Sequence, residues 1–162
     1  MKLDEPSATS DTETLIESVP FRWGQMSQGA INQQTNAIVV PVSVSGGQSL
    51  PFVIDTGCSQ TTLRAGSFSF SGPALGARQY VGIGGPQTGY VYEVASLGVG
   101  KAIVRNCAVA LMDIQSIGDA YGLLGNDFAL HFTIKIDYRR KTVDFYESDS
   151  SLPADQSTPL HQ

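Results

Sequence analysis

An aspartate closes an apolar run in Phe52-Val53-Ile54-Asp55-Thr56-Gly57-Cys58. Val and Ile favour extended backbone, and Thr-Gly favours a tight turn, so the carboxylate is delivered at the end of a strand. An acid placed there can sit at the floor of a cleft, half-shielded from water, where its ionisation becomes adjustable. The same three residues also make a serviceable surface turn. None of the other six acids between residues 20 and 146 stands in a second Asp-Thr-Gly.

Other candidate chemistries fall away. The glycine-rich stretch Gly82-Ile83-Gly84-Gly85 lacks the following Lys-Ser/Thr of a phosphate-binding loop, and no helix pattern opens there. Cys58 and Cys107 both lie in apolar surroundings, where a free thiol behaves as a small hydrophobe, and two cysteines make no disulfide framework. His131 and His161 are far apart and no Cys/His cluster has ligand spacing, so neither a metal nor another cofactor is expected. The net charge of −5 sits in the ends: residues 1–19 carry five acids against Lys2, and residues 147–162 carry three acids and no base. The remaining body is at +2, with Arg139-Arg140-Lys141 as its one basic cluster, which argues against nucleic acid as a partner.

The elements that must position Asp55 follow from the pattern. Length (162 residues), 41% apolar content, seventeen Gly and abundant Val, Ile and Thr predict one all-β domain. Residues 1–34 read as a disordered acidic tail and linker, interrupted by Phe21-Arg22-Trp23-Gly24, an arm that packs on the body or is bound by a partner. The domain spans 35–147, and 148–162 reads as a flexible tail. Strands are expected over Ala37–Val44, with Pro41 pointing to an edge or bulge, and over Ser49–Ile54. A short strand follows at Gln60–Leu63, then two β-prone arms within Gln79–Val94 around the glycine-rich tip. Lys101–Met112 is a long apolar strand, and Tyr121–Leu124 a buried strand broken at Gly125. Asn126 or Asp127 then caps a short helix running to about Phe132, before a closing hairpin. No apolar run approaches the roughly 18 residues of a membrane span, and the acidic N-terminus is no signal peptide. A soluble chain is expected, cytoplasmic on these residues, with the compartment open and an anchor or export signal outside them left as an alternative.

Three features in this order carry a resemblance: Asp55-Thr56-Gly57, Val81-Gly82-Ile83-Gly84-Gly85, and Gly122-Leu123-Leu124-Gly125-Asn126-Asp127-Phe128. Over residues 36–146 the chain resembles the retropepsin-like aspartic proteases, their cellular and bacterial branch more than the viral one. The resemblance implies a closed barrel-like half of a C2 homodimer, acting on a polypeptide substrate. Two Asp55 carboxylates would then share one proton across a water, one as general base and the other as general acid. Like charges about 3 Å apart repel by about 5 kcal/mol at an effective dielectric near 20, enough to hold the pair singly protonated. Thr56 would bond across the dimer axis, and the Gly57 N–H would orient the carboxylate. Gly82, Ile83, Gly84 and Gly85 would form a flap over the substrate, while Cys58, Leu123, Leu124 and Gly125 would support the loop.

Two departures from the family pattern matter. Cys58 stands where pepsin-type members carry Ser or Thr, and a weak S–H donor implies a working pH nearer 5–6 than 2–3 (a rough estimate). Asn126 and Ser59 stand where viral members form an Arg–Asp ion pair, which implies a neutral replacement contact. Such proteases often process themselves, so residues 1–30 and 148–162 are candidate cleavage segments. A non-catalytic dimerisation or peptide-binding module on the same fold is the alternative.

Overall fold

A computed structural model describes residues 13–28, 31–82, 85–115 and 117–148. Strands dominate it: β1 (Leu15–Pro20), β2 (Arg22–Gln28), β3 (Ile31–Val44), β4 (Leu50–Ile54), β5 (Thr62–Arg64), β6 (Gly76–Gly82), β7 (Gly85–Val99), β8 (Ala102–Met112), β9 (Gly122–Leu124), β10 (Phe132–Asp137) and β11 (Thr142–Glu147). One short helix, α1 (Asn126–Ala129), lies between β9 and β10. The expected all-β class with a single C-terminal helix is the observed one.

The strands form a three-stranded sheet, β1-β11-β10, and an eight-stranded sheet, β2-β3-β4-β9-β5-β8-β7-β6. An additional β3–β7 pairing closes the larger sheet into a barrel through β3, β4, β9, β5, β8 and β7. Side chains alternate about each strand, so the inward sets of facing strands fill the interior. Val40, Val42, Phe52, Leu63, Leu97, Val99, Val109 and Phe128 are fully buried there, and Phe145 and Val143 join the smaller sheet to the same cluster.

Pro41 lies inside β3, opposite Pro51 of β4. On its other side β3 changes neighbour: its register with β2 begins at Val39, and its pairing with β7 begins at Ser43. Pro41 falls between those pairings, where its missing N–H interrupts neither ladder.

The expectation of a disordered tail and linker over residues 1–34 is corrected wherever that region is described. β1 pairs antiparallel with β11, and β2 pairs with β3, which starts at Ile31 rather than Ala37. Phe21 is buried between them, its N–H donating to the Lys141 carbonyl at 2.9 Å. Trp23 meets Phe21 edge-on at 5.3 Å and stacks on Tyr138 at 6.1 Å, while Arg22 pairs with Asp119 at 2.7 Å. The Phe21–Trp23 arm therefore packs on the body. β1 pairs with a strand more than a hundred residues away in sequence, whereas β2 pairs with the adjacent β3 through polar residues that carry no apolar alternation. Residues 1–12 and 149–162 lie outside the described residues.

Candidate active site

Asp55 follows directly on β4, which runs between β3 (antiparallel) and β9 (parallel, with Ile54 beside Leu124). Its own N–H donates to the Leu124 carbonyl at 3.0 Å, so the ladder continues through the aspartate. The chain then turns: the Cys58 N–H closes onto the Asp55 carbonyl at 3.1 Å, and the Gly57 N–H donates to Asp55 Oδ1 at 2.9 Å. Asp55 is half-buried, while Thr56 and Gly57 are exposed. One carboxylate oxygen is thus oriented by backbone and the group keeps access to solvent.

The loop is braced from behind by the segment after β9. Gly125 passes so close that a Cβ on it would lie 2.8 Å from the Cys58 carbonyl oxygen and 2.9 Å from the Thr61 nitrogen. Only glycine fits this backbone-on-backbone approach. The Asn126 N–H donates to the Cys58 carbonyl at 2.8 Å, its side-chain amide to the Thr56 carbonyl at 2.7 Å, and the Asp127 N–H to the Ser59 carbonyl at 3.2 Å. The neutral contact expected in place of an ion pair is therefore made, but by Asn126 to backbone rather than to the Ser59 side chain.

Thr61 and Asp127 form the deepest part of this brace. Both carboxylate oxygens of Asp127 accept from the Thr61 N–H (2.9 and 2.8 Å), and Oδ1 also accepts from the Thr61 hydroxyl (2.7 Å) and the Phe128 N–H (3.0 Å). Thr61 Oγ1 in turn accepts from the Gly125 N–H at 3.1 Å. The helix begins at Gly125 without a side-chain cap and ends at Ala129, short of the expected Phe132, because Phe132 already belongs to β10. Asp127 is accordingly a cross-link to the loop and not the helix cap. Sequence reasoning missed Thr61, which carries no distinguishing signal as one of two adjacent threonines before Leu63.

Cys58 turns away from the Asp55 carboxylate. Its thiol donates to the Gln60 carbonyl at 2.9 Å and lies 3.7 Å from Thr62 Oγ1. Leu124 is buried and Leu123 half-buried behind the loop. Both cysteines are free thiols, and burial pushes the Cys107 thiol above its ordinary range.

β6 and β7 form a hairpin in register from Gly76 opposite Val91 to Gly82 opposite Gly85. Gly85 takes φ +94°, in the left-handed region that suits glycine. Val81 is 85% exposed at this end. The tip residues Ile83 and Gly84 lie outside the described residues. Lower in the hairpin, the Tyr80 hydroxyl donates to the Gln60 side-chain oxygen at 2.6 Å, tying this arm to the Asp55 loop. The structure thus gathers Asp55, Thr56, Gly57, Cys58, Leu123, Leu124 and Gly125 around one turn.

Residues 40–128 match the sequence pattern of the family described as aspartyl protease. Among solved structures, the crystal structure of a retropepsin-like aspartic protease from Rickettsia conorii is similar, at a TM-score of 0.51 and 16% identity. The match covers 81% of this chain and 93% of that one, and it shows a shared retropepsin-like fold. No curated protein matches the sequence.

Proposed function

From a chain that belongs to the aspartyl protease family, we propose an aspartic endopeptidase in which two copies of Asp55, one per protomer, activate a water for peptide hydrolysis. The observation that carries the reading is the half-buried Asp55 at the end of a barrel strand, with the Gly57 N–H on Oδ1 and its loop locked by residues 125–127. Such a carboxylate is oriented before substrate arrives, which is the main demand of acid–base chemistry.

One protomer offers a single such acid, and the reaction needs a base and an acid together. A two-fold homodimer supplies the second Asp55, with the exposed Thr56 facing the axis. The three-stranded sheet supports this reading, because among the described residues β10, the strand that follows the bracing segment, lies at its edge, where a second copy could pair with it. In the dimer, one carboxylate takes a proton from the water as it attacks the scissile carbonyl. The other, protonated, donates to the carbonyl oxygen, and the tetrahedral intermediate then collapses with proton transfer to the leaving amine.

The β6–β7 hairpin serves as the flap, with Gly82 and Gly85 flanking a tip at Ile83 and Gly84 that closes over an extended polypeptide and excludes water. The chemistry calls for no metal or cofactor.

The test is cleavage of a denatured protein by wild type and Asp55→Asn at pH 4–7, with and without a pepstatin-type inhibitor, alongside sedimentation. Cleavage that is inhibited and lost in Asp55→Asn supports the reading. A demonstrated dimer that cleaves nothing across that range refutes it in favour of a non-catalytic peptide-binding module.

A further inference from the structure

A cavity of about 620 Å³ opens beside the Asp55 loop, between the base of the β6–β7 hairpin, β8 and α1. Ser59 and Gln60 form its wall on the loop side, so it is continuous with the residues that follow the candidate catalytic aspartate. Arg78 of β6 and Arg105 of β8 line it as well, and both are exposed. Among the described residues, neither guanidinium makes an ion pair. His131 also lines it, and the one acid present, Asp127, has both oxygens occupied by Thr61 and Phe128.

The wall is built. Gln60 accepts from the Tyr80 hydroxyl at 2.6 Å and donates to the Ala108 carbonyl at 2.8 Å, so its amide is fixed at both ends. Tyr80 reaches Gln60 by lying across Gly89, where a Cβ would come within 2.7 Å of its ring. On β8, five consecutive residues from Val104 to Ala108 line the cavity, which alternating strand geometry forbids. Asn106 resolves this with φ +54°, twisting the strand between Arg105 and Cys107. A fixed polar wall and two cations without acidic partners among the described residues thus face one space.

We infer that this cavity is a recognition pocket for an acidic side chain of the substrate peptide, its carboxylate taken up by Arg78 and Arg105. The inference rests on the proposed peptidase reading, since it makes the pocket a specificity element of that cleft. Arginine's planar fork suits a carboxylate, and a charged pocket discriminates most strongly against the opposite sign.

The experiment uses matched peptides in which Glu, Gln or Lys is walked through each position around one cleavable bond. Wild type should cleave the Glu peptide about tenfold more efficiently than the Gln peptide at one position, with the ratio shrinking as salt rises. Arg78→Gln combined with Arg105→Gln should collapse that ratio towards one, and Arg105→Glu should shift the preference towards Lys. No position that favours Glu, or a preference that survives the double substitution, would overturn the pocket. The same Glu and Gln peptides, fluorescently labelled, are titrated into Asp55→Asn and read by anisotropy. Charge-selective binding without any cleavage by wild type upholds the pocket and defeats the peptidase reading. Cleavage by wild type without charge preference does the reverse.

Discussion

Thr61→Val tests the brace with a substitution that keeps volume and removes one oxygen. Thr61 is fully buried, and its hydroxyl both donates to Asp127 at 2.7 Å and accepts from the Gly125 N–H at 3.1 Å. Losing a hydrogen bond to a charged acceptor costs about 1.5–3 kcal/mol, and leaving a buried N–H unpaired costs about 1–3 kcal/mol. The two share one atom and do not simply add, so about 3 kcal/mol is expected. Thr62→Val is the internal control. The Thr62 hydroxyl donates to the Gln60 carbonyl at 3.0 Å, which keeps the Cys58 thiol as a second donor, so about 1 kcal/mol is expected there. In urea unfolding, with a slope of about 1.5–2 kcal/mol per molar for this size, the midpoint should fall by about 1.5–2 M for Thr61→Val and about 0.5 M for Thr62→Val. A double-mutant cycle of Thr61→Val with Asp127→Asn should show coupling of at least about 1 kcal/mol. Equal midpoint shifts for the two threonines, or zero coupling, would refute the view that Asp127 acts through Thr61.

The remaining predictions use other parts of the same architecture. Gly125→Ala forces a Cβ into contact with the Cys58 carbonyl and the Thr61 nitrogen, both backbone, so a loss of more than about 3 kcal/mol is expected in the same denaturation assay. Asn126→Ala removes the bond to the Thr56 carbonyl at an exposed position, and should lower kcat/KM about tenfold while shifting the urea midpoint little. Deleting residues 1–28 strips Phe21 and Val19 from the core and exposes the edge of β11. Loss of the cooperative unfolding transition by circular dichroism is expected, and retention of it would show the arm to be dispensable. Burial raises the Cys107 thiol, so the folded chain holds that proton more tightly than the unfolded one. Stability should therefore be full below the ordinary thiol range and fall as pH rises through it. Cys107 alkylation should likewise lag a small free thiol, read by mass spectrometry across pH 7–10.

Much of the barrel was legible because its strands announce themselves locally. The apolar run into Asp55, the two arms around Gly82–Gly85, and the alternation in Thr142–Tyr146 are period-two patterns bounded by turn residues, and each became a strand or hairpin close to its expected bounds. Part of what stayed hidden depended on partners distant in sequence. β1 is short and set among Ser, Thr and Glu, and nothing within it reveals that Val19 packs beside Val143 of β11. The candidate site divides in the same way. Asp55, Gly57 and Gly125 could be read because tight turns and close approach restrict residue type. The bond between Thr61 and Asp127 could not, because neither residue type is unusual where it stands. Cys58 was read as a neighbour of the carboxylate from its position alone, and the turn instead sends its thiol to the Gln60 carbonyl.

The brace also bears on how much of the proposed site one protomer can prepare alone. Bonds within one protomer link residues 55–61 to the segment behind them: Leu124 to Asp55, Asn126 to Thr56 and Cys58, Asp127 to Ser59 and Thr61. With Asn126 and Ser59 neutral, no buried ion pair must be assembled before the loop takes its shape, and the one acid in the brace, Asp127, is satisfied by three donors from Thr61 and Phe128. The sheet beside it is equally self-contained, since β11 has its own β1 on one side and its own β10 on the other. A second copy therefore need not exchange terminal strands to complete either element. Its contribution under the proposed mechanism reduces to one more Asp55 and whatever β10 and Thr56 bind across the axis. That division predicts a folded monomer whose Asp55 loop is already formed, and places the dependence of activity on protein concentration in association rather than in folding.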